Sequence, residues 1–184
     1  MRVSKCFRAL AAALGLQVTA VEAANLVTNP DFTSDVSGWT PACAIPVGGG
    51  TPGTLTWDSS DGDPAPGSAH SLGCQLSSTC IVIAAPQNID LYANIKVAAG
   101  AARAQVNGFS DAACTAGETF GIAFAPVASS STWQTVSVTD VALPIGTNSV
   151  EVQLQISSLS DDVHFDHILF GPSNLIFFSG FEGP

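Results

Sequence analysis

Hydrophobic and polar residues alternate along three segments of this chain. Leu91–Val97, Ala102–Phe109 and Ser149–Ile156 each place apolar side chains at nearly every second position. A period of two is typical of a β-strand that has one face in a core and the other toward water. The polar positions of the three segments therefore predict a solvated sheet face.

Short runs of the same kind, bounded by Gly, Pro, Ser, Asn or Asp, continue through the chain with almost no helical periodicity. They predict further strands at Ala24–Thr28, Trp39–Ile45, Thr54–Asp58, Ser71–Leu76, Cys80–Ala84, Thr119–Pro126, Thr132–Val138 and Val163–Phe170. Many short strands with turn residues between them favour an all-β fold, a single β-sandwich of the jelly-roll type.

Composition limits the class of protein. The chain has 184 residues, of which 46% are hydrophobic and 11% are charged, and this balance favours one folded domain over a disordered chain. The net charge of −10 argues against nucleic acid as a partner, and against binding to an anionic membrane surface.

The first 23 residues have the pattern of a secretory signal peptide. Basic residues precede an apolar run, Ala9–Val21, and small residues at Val21 and Ala23 suit a cleavage site. The run is shorter than the roughly 20 apolar residues of a membrane span, so a retained anchor is the less favoured alternative. We predict a signal peptide at 1–23, a β-sandwich domain at 24–172 and a Phe-rich C-terminal tail at 173–184. The protein is then secreted or periplasmic.

Cysteine number agrees with export. Cys6 lies in the predicted signal peptide, which leaves four cysteines for two disulfides and three possible pairings. The preferred pairing is Cys43–Cys74 with Cys80–Cys114, and the other two pairings stay open. The sequence has no CxxC pair of the kind that would indicate a zinc site.

The solvated sheet face is the first candidate for ligand binding. Its long polar side chains can hydrogen-bond sugar hydroxyls, and its one tyrosine can stack on a sugar ring. The face comprises Tyr92, Asn94, Lys96, Arg103, Gln105, Asn107, Glu151, Gln153 and Gln155. An ordinary solvated sheet surface is the alternative interpretation. Of the three tryptophans, Trp57 is the candidate for an exposed stacking residue, whereas Trp39 and Trp133 are predicted to lie in the core.

Three segments resemble galactose-binding-like jelly rolls, as found in carbohydrate-binding modules of xylanases and cellulases. They are Asn25–Phe32 followed by Ser37-Gly38-Trp39, the Trp-bearing Ser131–Val136, and the closing Val163–Phe170. The resemblance implies the jelly-roll fold and glycan binding, although relatives of this shape also have structural or adhesive roles. A further segment, Leu175–Glu182, resembles a short aromatic ending of exported bacterial proteins.

The resemblance also implies a structural calcium ion between the first and last strands. Asp31 and Asp166 occupy the places where the family has ligands, but Thr33 stands where a glutamate often follows the Phe. Asp161 and Asp162 can supply further oxygens to such an ion. The acidic segment Asp58–Asp63 lacks the spacing of an EF-hand loop and is interpreted as a solvated turn.

No catalytic motif is evident. His164 and His167 are three residues apart, so regular alternation places them on opposite faces of a strand, where they cannot act together. We therefore expect a non-catalytic exported module that binds carbohydrate. A structural or adhesive protein that binds an extracellular protein is the alternative, and a secreted hydrolase with an unrecognised site is a third possibility.

Overall fold

The structure is a computed structural model that describes residues 25–43, 52–84 and 87–173. These residues form twelve β-strands. In chain order they are β1 (Trp39–Cys43), β2 (Thr54–Asp58), β3 (Ser68–Leu72), β4 (Cys74–Ser78), β5 (Ile81–Val82), β6 (Asn88–Ala99), β7 (Ala101–Phe109), β8 (Glu118–Ala123), β9 (Val127–Ala128), β10 (Gln134–Ala142), β11 (Ser149–Ile156) and β12 (Asp162–Pro172). Nowhere in these ranges does a helix form that is able to cross a lipid bilayer. The predicted signal peptide and most of the predicted tail lie outside the described residues.

The strands form two antiparallel sheets. The seven-stranded sheet has the order β1-β4-β11-β7-β8, with β5 paired to β11 and β9 paired to β7. The five-stranded sheet has the order β10-β6-β12-β3-β2. This arrangement confirms the predicted all-β sandwich.

The core lies between the sheets and is made by the apolar half of each alternation. Val106 faces Val152 across β7 and β11, and Ile95 faces Phe165 across β6 and β12; all four side chains are fully buried. Burial of a large aliphatic or aromatic side chain contributes about 1.5–3 kcal/mol, which explains why these strands keep their register.

The predicted disulfide pairing is confirmed. Cys43–Cys74 joins directly opposed residues of β1 and β4, and Cys80–Cys114 joins the segment before β5 to the loop after β7. Both bonds belong to the seven-stranded sheet or its loops.

The predicted strand Ser71–Leu76 is wrong, because the chain changes sheets in its middle. β3 belongs to the five-stranded sheet and β4 to the seven-stranded one, and Gly73 alone separates them. Gly73 has a φ of 70°, and a Cβ there would lie 2.5 Å from the Leu159 carbonyl oxygen. Only glycine fits both conditions without strain.

The predicted strand Ala24–Thr28 is also not formed in its described part, residues 25–28. The Leu26 N–H donates to the Phe170 carbonyl (2.9 Å), but Asn25 meets β12 with its side chain. Its amide donates to the Ile168 carbonyl and accepts from the Phe170 N–H. The side chain therefore takes the place of a backbone ladder.

Candidate functional site

Six of the predicted binding residues form a continuous polar surface on the outer side of the seven-stranded sheet. Three opposed pairs from β7 and β11 make it: Asn107 with Glu151, Gln105 with Gln153, and Arg103 with Gln155. We call these six residues the polar ladder. All are partly exposed except Asn107, which is 7% exposed.

Hydrogen bonds within the polar ladder hold several of its side chains in place. Arg103 Nε donates to Gln155 Oε1 (2.8 Å), and Gln155 Nε2 donates to Gln153 Oε1 (3.0 Å). The Gln105 amide donates to the Asn107 carbonyl oxygen. Each of these groups keeps further donor or acceptor positions for a ligand, because an amide has four and a guanidinium five.

A pocket of about 180 Å³ adjoins one end of the polar ladder, where Ile156 follows Gln155 in β11. Its lining combines apolar and polar groups: Ala42, Gly73, Gln75, Ile156, Ser157, Ser158 and Leu159. Leu159 is 43% exposed and supplies apolar surface beside the polar groups. Sites that bind small molecules commonly combine these two kinds of surface.

The prediction of one shared polar face is wrong for Tyr92, Asn94 and Lys96. These residues lie on β6, in the other sheet, so the sandwich separates them from the polar ladder. Tyr92 and Asn94 are only 8% and 6% exposed. Burial, and secondarily the charge of Asp90, raises the pKa of Tyr92, and its ring does not offer an open stacking surface.

An ordered loop, residues 59–67, covers the outer side of the five-stranded sheet. Asp61 pairs with Lys96 and accepts a hydrogen bond from Trp133 Nε1 (3.1 Å). Asn94 donates to the Asp63 carbonyl at 2.9 Å. The interpretation of Asp58–Asp63 as a solvated turn is therefore wrong, because side chains distant in sequence bind it.

A histidine pair lies beside this loop. His70 of β3 and His164 of β12 are opposed across the sheet, and their rings stack with centroids 4.3 Å apart. His70 Nε2 lies 2.8 Å from Asp162 Oδ1. Burial lowers the pKa of His164, which favours its neutral form. Sequence patterns gave no signal for this cluster, since they do not show that β3 and β12 pair.

The two predicted calcium ligands do meet in one pocket. Asp31 and Asp166 line a space of about 240 Å³ together with Thr33, Pro64, Ala65, Pro66 and His167. A bulge between Asp166 and Leu169, with His167 at a φ of 49°, turns the His167 ring to the Asp166 side. The predicted placement of His164 and His167 on opposite faces therefore fails, although His167 contacts Asp31 and not the histidine pair.

Nitrogen donors already occupy the carboxylates of this pocket. Asp166 accepts hydrogen bonds from the Asp63 and His167 N–H groups, both at 2.7 Å. Asp31 Oδ1 lies 2.7 Å from His167 Nδ1, and this hydrogen bond raises the pKa of His167. Burial raises the pKa of Asp166 to about 7.

This donor set does not fit a calcium ion as it stands, since calcium takes 6–8 oxygen ligands. Asp161 and Asp162 do not complete the set. Asp161 accepts from the Ser157 and Ser158 N–H groups, and Asp162 pairs with His70. Calcium binding at Asp31 and Asp166 stays a prediction.

The burial of the three tryptophans agrees only in part with the prediction. Trp39 is 5% exposed and lies in the core, as expected. Trp133 is not in the core, because its indole donates to Asp61 and its ring meets His164 edge-on at 6.3 Å. Trp57 is 39% exposed on edge strand β2, and its indole N–H donates to the Phe32 carbonyl (2.6 Å). Its role as a stacking residue stays a prediction.

Comparison with solved structures finds several proteins that share this fold. An enzymatically active domain of tailspike protein 4 from bacteriophage CBA120 superposes with a TM-score of 0.62 and 16% identity, covering 80% of this chain and 21% of that one. The CBM22-1–GH10 portion of xylanase 10B from Clostridium thermocellum, complexed with xylohexaose, superposes with a TM-score of 0.58 and 14% identity, covering 79% of this chain and 28% of that one. The CBM22-1 xylan-binding domain from Paenibacillus barcinonensis superposes with a TM-score of 0.54 and 13% identity, covering 77% of this chain and 90% of that one.

Most of the similar structures are carbohydrate-binding modules with the jelly-roll fold. The chain spans only about a fifth and a quarter of the first two chains named, but nearly the whole of the xylan-binding domain. The sequence matches no protein-family model, and the comparison with curated proteins finds no match. The fold implied by the sequence resemblance is thus confirmed: the chain is a jelly-roll sandwich like those of carbohydrate-binding modules.

Proposed function

We propose that this protein is an exported, non-catalytic module that binds carbohydrate on the polar ladder. The observation that carries the proposal is the alignment of six long polar side chains in three opposed pairs on β7 and β11. The carbohydrate-binding modules among the similar structures support the same class of ligand.

The chemistry of the polar ladder suits a chain of sugar hydroxyls. Each hydroxyl both donates and accepts a hydrogen bond, and the ladder offers amide groups that do the same. Arg103 adds donors and Glu151 adds acceptors at opposite ends. Net hydrogen-bond contributions of about 0.5–1.5 kcal/mol each make several simultaneous contacts necessary for binding.

The dimensions of the polar ladder suit an extended glycan. Three pairs spaced two residues apart span about 13 Å along the strands, because each strand residue advances about 3.3 Å. The pocket lies at the Arg103–Gln155 end of the polar ladder, where Leu159 supplies exposed apolar surface and Ile156 packs against the core. A glycan lying along β11 would therefore meet the polar pairs with its hydroxyls and the pocket with an apolar ring face.

Export is supported by the two disulfides, which persist in oxidising compartments and are rare in the cytosol. The signal-peptide pattern at 1–23 agrees with it. Non-catalytic status is part of the proposal because the sequence has no evident catalytic motif and four of the six polar-ladder side chains are amides, which do not act as acid or base.

Binding to immobilised and soluble polysaccharides, with xylan and xylohexaose among them, tests the proposal. Gln105→Ala and Gln153→Ala remove one opposed pair, and each is expected to weaken binding about 10-fold through lost hydrogen bonds. Gln134→Ala is the matched control, because Gln134 lies on β10 in the other sheet and its loss is expected to leave binding unchanged. Glycan binding that survives the double variant would overturn the assignment of the site. Failure of the folded protein to bind any glycan would overturn the function and favour a structural or adhesive role.

A further inference from the structure

A second cluster of side chains, on the sheet opposite the polar ladder, has the composition of a metal site. His70 on β3 and His164 on β12 are directly opposed across an antiparallel pair. Asp162, two residues before His164, reaches diagonally to His70 with 2.8 Å between Oδ1 and Nε2. One ligand atom from each of these three residues lies within 4.8 Å of the other two.

We propose that His70, His164 and Asp162 bind a divalent transition-metal ion of the kind that prefers imidazole, with Zn²⁺ as its representative. Two imidazole nitrogens and one carboxylate oxygen are a common ligand set for zinc, and a fourth position remains for water. Calcium and magnesium ions prefer oxygen ligands, so a site with two imidazole nitrogens disfavours them.

The backbone prepares the ligand positions. Opposed residues of an antiparallel pair have Cβ atoms about 4.5–5.5 Å apart, so the two imidazoles start close together. Their rings are stacked within 8° of parallel. Metal–ligand bonds of about 2.0–2.2 Å need only small side-chain rotations to draw the three ligand atoms together around one ion.

Neighbouring groups orient His164 and leave it able to bind a metal. Ser68 Oγ lies 3.1 Å from His164 Nδ1. A hydrogen bond to one ring nitrogen fixes the ring and favours metal binding at the other. His164 is 8% exposed, so its ring is held between its neighbours and not free in solvent. His70 and Asp162 are 26% and 36% exposed, which gives an ion access from solvent.

Charge around the cluster also favours a cation. Asp58 Oδ2 lies 4.0 Å from His164 Nδ1, and Asp61 belongs to a second possible ligand set with Asp58 and His164. Those two carboxylates are already engaged, Asp61 by Lys96 and Trp133 and Asp58 by Ser60. Lys96 balances the charge of Asp61, so the negative potential beside the ion comes mainly from Asp58. Asp162 is held by His70, which is itself a proposed ligand.

Zinc titration of the oxidised, chelator-treated protein, followed by calorimetry, tests this proposal. The expected result is one zinc ion per chain, with binding weakened by about 100-fold or more in His70→Ala, since losing even a group that only orients a ligand costs 10- to 100-fold. Asp162→Asn provides a second test in case His70→Ala does not fold. His167→Ala is the matched control, because the third histidine pairs with Asp31 in a different pocket and its loss is expected to leave zinc binding unchanged.

Cobalt replacement gives an independent readout, since a four-coordinate Co²⁺ ion with nitrogen and oxygen ligands absorbs visible light and an octahedral aquo ion scarcely does. The visible band is expected in the parent protein and in His167→Ala, and its loss is expected in Asp162→Asn. Three results would overturn the proposal: no zinc binding by the folded protein, binding lost in His167→Ala, or binding that survives Asp162→Asn but is lost in Asp58→Asn. Glycan binding uses the opposite sheet, so its outcome does not affect this test.

Discussion

Gly73 is the point at which the chain passes from one sheet to the other, and its substitution tests why the fold needs glycine there. The residue separates β3 from β4, has a φ of 70° and donates its N–H to the Asp161 carbonyl at 3.0 Å. A Cβ would lie 2.5 Å from the Leu159 carbonyl oxygen, a backbone atom that cannot rotate away. Gly73→Ala therefore meets two separate costs.

The two costs have different magnitudes. An L-residue in the left-handed region costs roughly 1–2 kcal/mol. Forcing an extra carbon against fixed neighbours typically costs a further 1–3 kcal/mol. Gly73→Ala is therefore expected to lower the free energy of unfolding by about 2–5 kcal/mol.

Gly146→Ala separates these costs. Gly146 also has a positive φ, 94°, but a Cβ there meets nothing within 4 Å. Only the backbone cost applies, so the expected loss is about 1–2 kcal/mol. Both variants are compared with the parent protein by urea unfolding of the oxidised chain. The slope of unfolding free energy against urea concentration is checked to be the same in all three proteins.

The reasoning would be refuted by equal losses in the two variants. That result would mean that the approach of β3–β4 to Leu159 imposes no restriction on residue 73. A Gly73→Ala protein as stable as the parent would refute the backbone argument as well.

Three further predictions concern stability. Replacing Cys43 and Cys74 with alanine opens a loop with a separation of 31 residues and is expected to cost about 3–4 kcal/mol in urea unfolding, and a loss below about 1 kcal/mol would contradict the loop-entropy account. Leu154→Ala leaves a cavity at a fully buried position of β11 and is expected to cost about 2–5 kcal/mol in the same assay, while a cost under 1 kcal/mol would show that the core collapses around it. Burial raises the pKa of Asp166 to about 7, so in chelator its contribution to stability is complete below about pH 4 and is lost as the pH rises through 7, by roughly 4 kcal/mol at most. Asp166→Asn is expected to flatten this decline between about pH 4 and pH 7, and an unchanged slope would assign the decline to other groups.

The alternation of the sequence predicted individual strands well where both faces have clear roles. The alternation predicts β11 with its observed limits, Ser149–Ile156, because Val150, Val152 and Leu154 are fully buried and the glutamate and glutamines between them are partly exposed. The prediction for β7 differs from the structure by one residue, since Ala101 also pairs with β9. Local pattern sufficed there because it is the burial of these side chains that positions the strand.

The same alternation does not show which strands share a sheet. It placed Asn94 and Gln153 on one surface because both occupy polar positions, yet their strands lie in different layers. Pairing between strands far apart in sequence decides this, and a single sequence carries no direct signal for it. Six of the nine residues were correctly grouped because β7 and β11 happen to be neighbours.

Long-range contacts also explain the other errors. Trp133 was assigned to the core from its own strand, but Asp61, 72 residues earlier, accepts its indole hydrogen bond outside the core. Residues 58–63 look like a solvated turn because of their charge and glycine content. Their partners Lys96 and Asp166 come from two other strands, and only the folded sheet brings them together.

The central claim is that the polar ladder binds glycan, and side-chain amide resonances report on it directly. In an isotope-labelled protein titrated with the tightest-binding glycan of the panel, the account predicts shifts in the side-chain NH₂ signals of Gln105, Gln153 and Gln155. Gln134, on the other sheet, is expected to keep its signals unchanged. Saturable binding that shifts Asn94 or Gln134 while the ladder amides stay fixed would contradict the account.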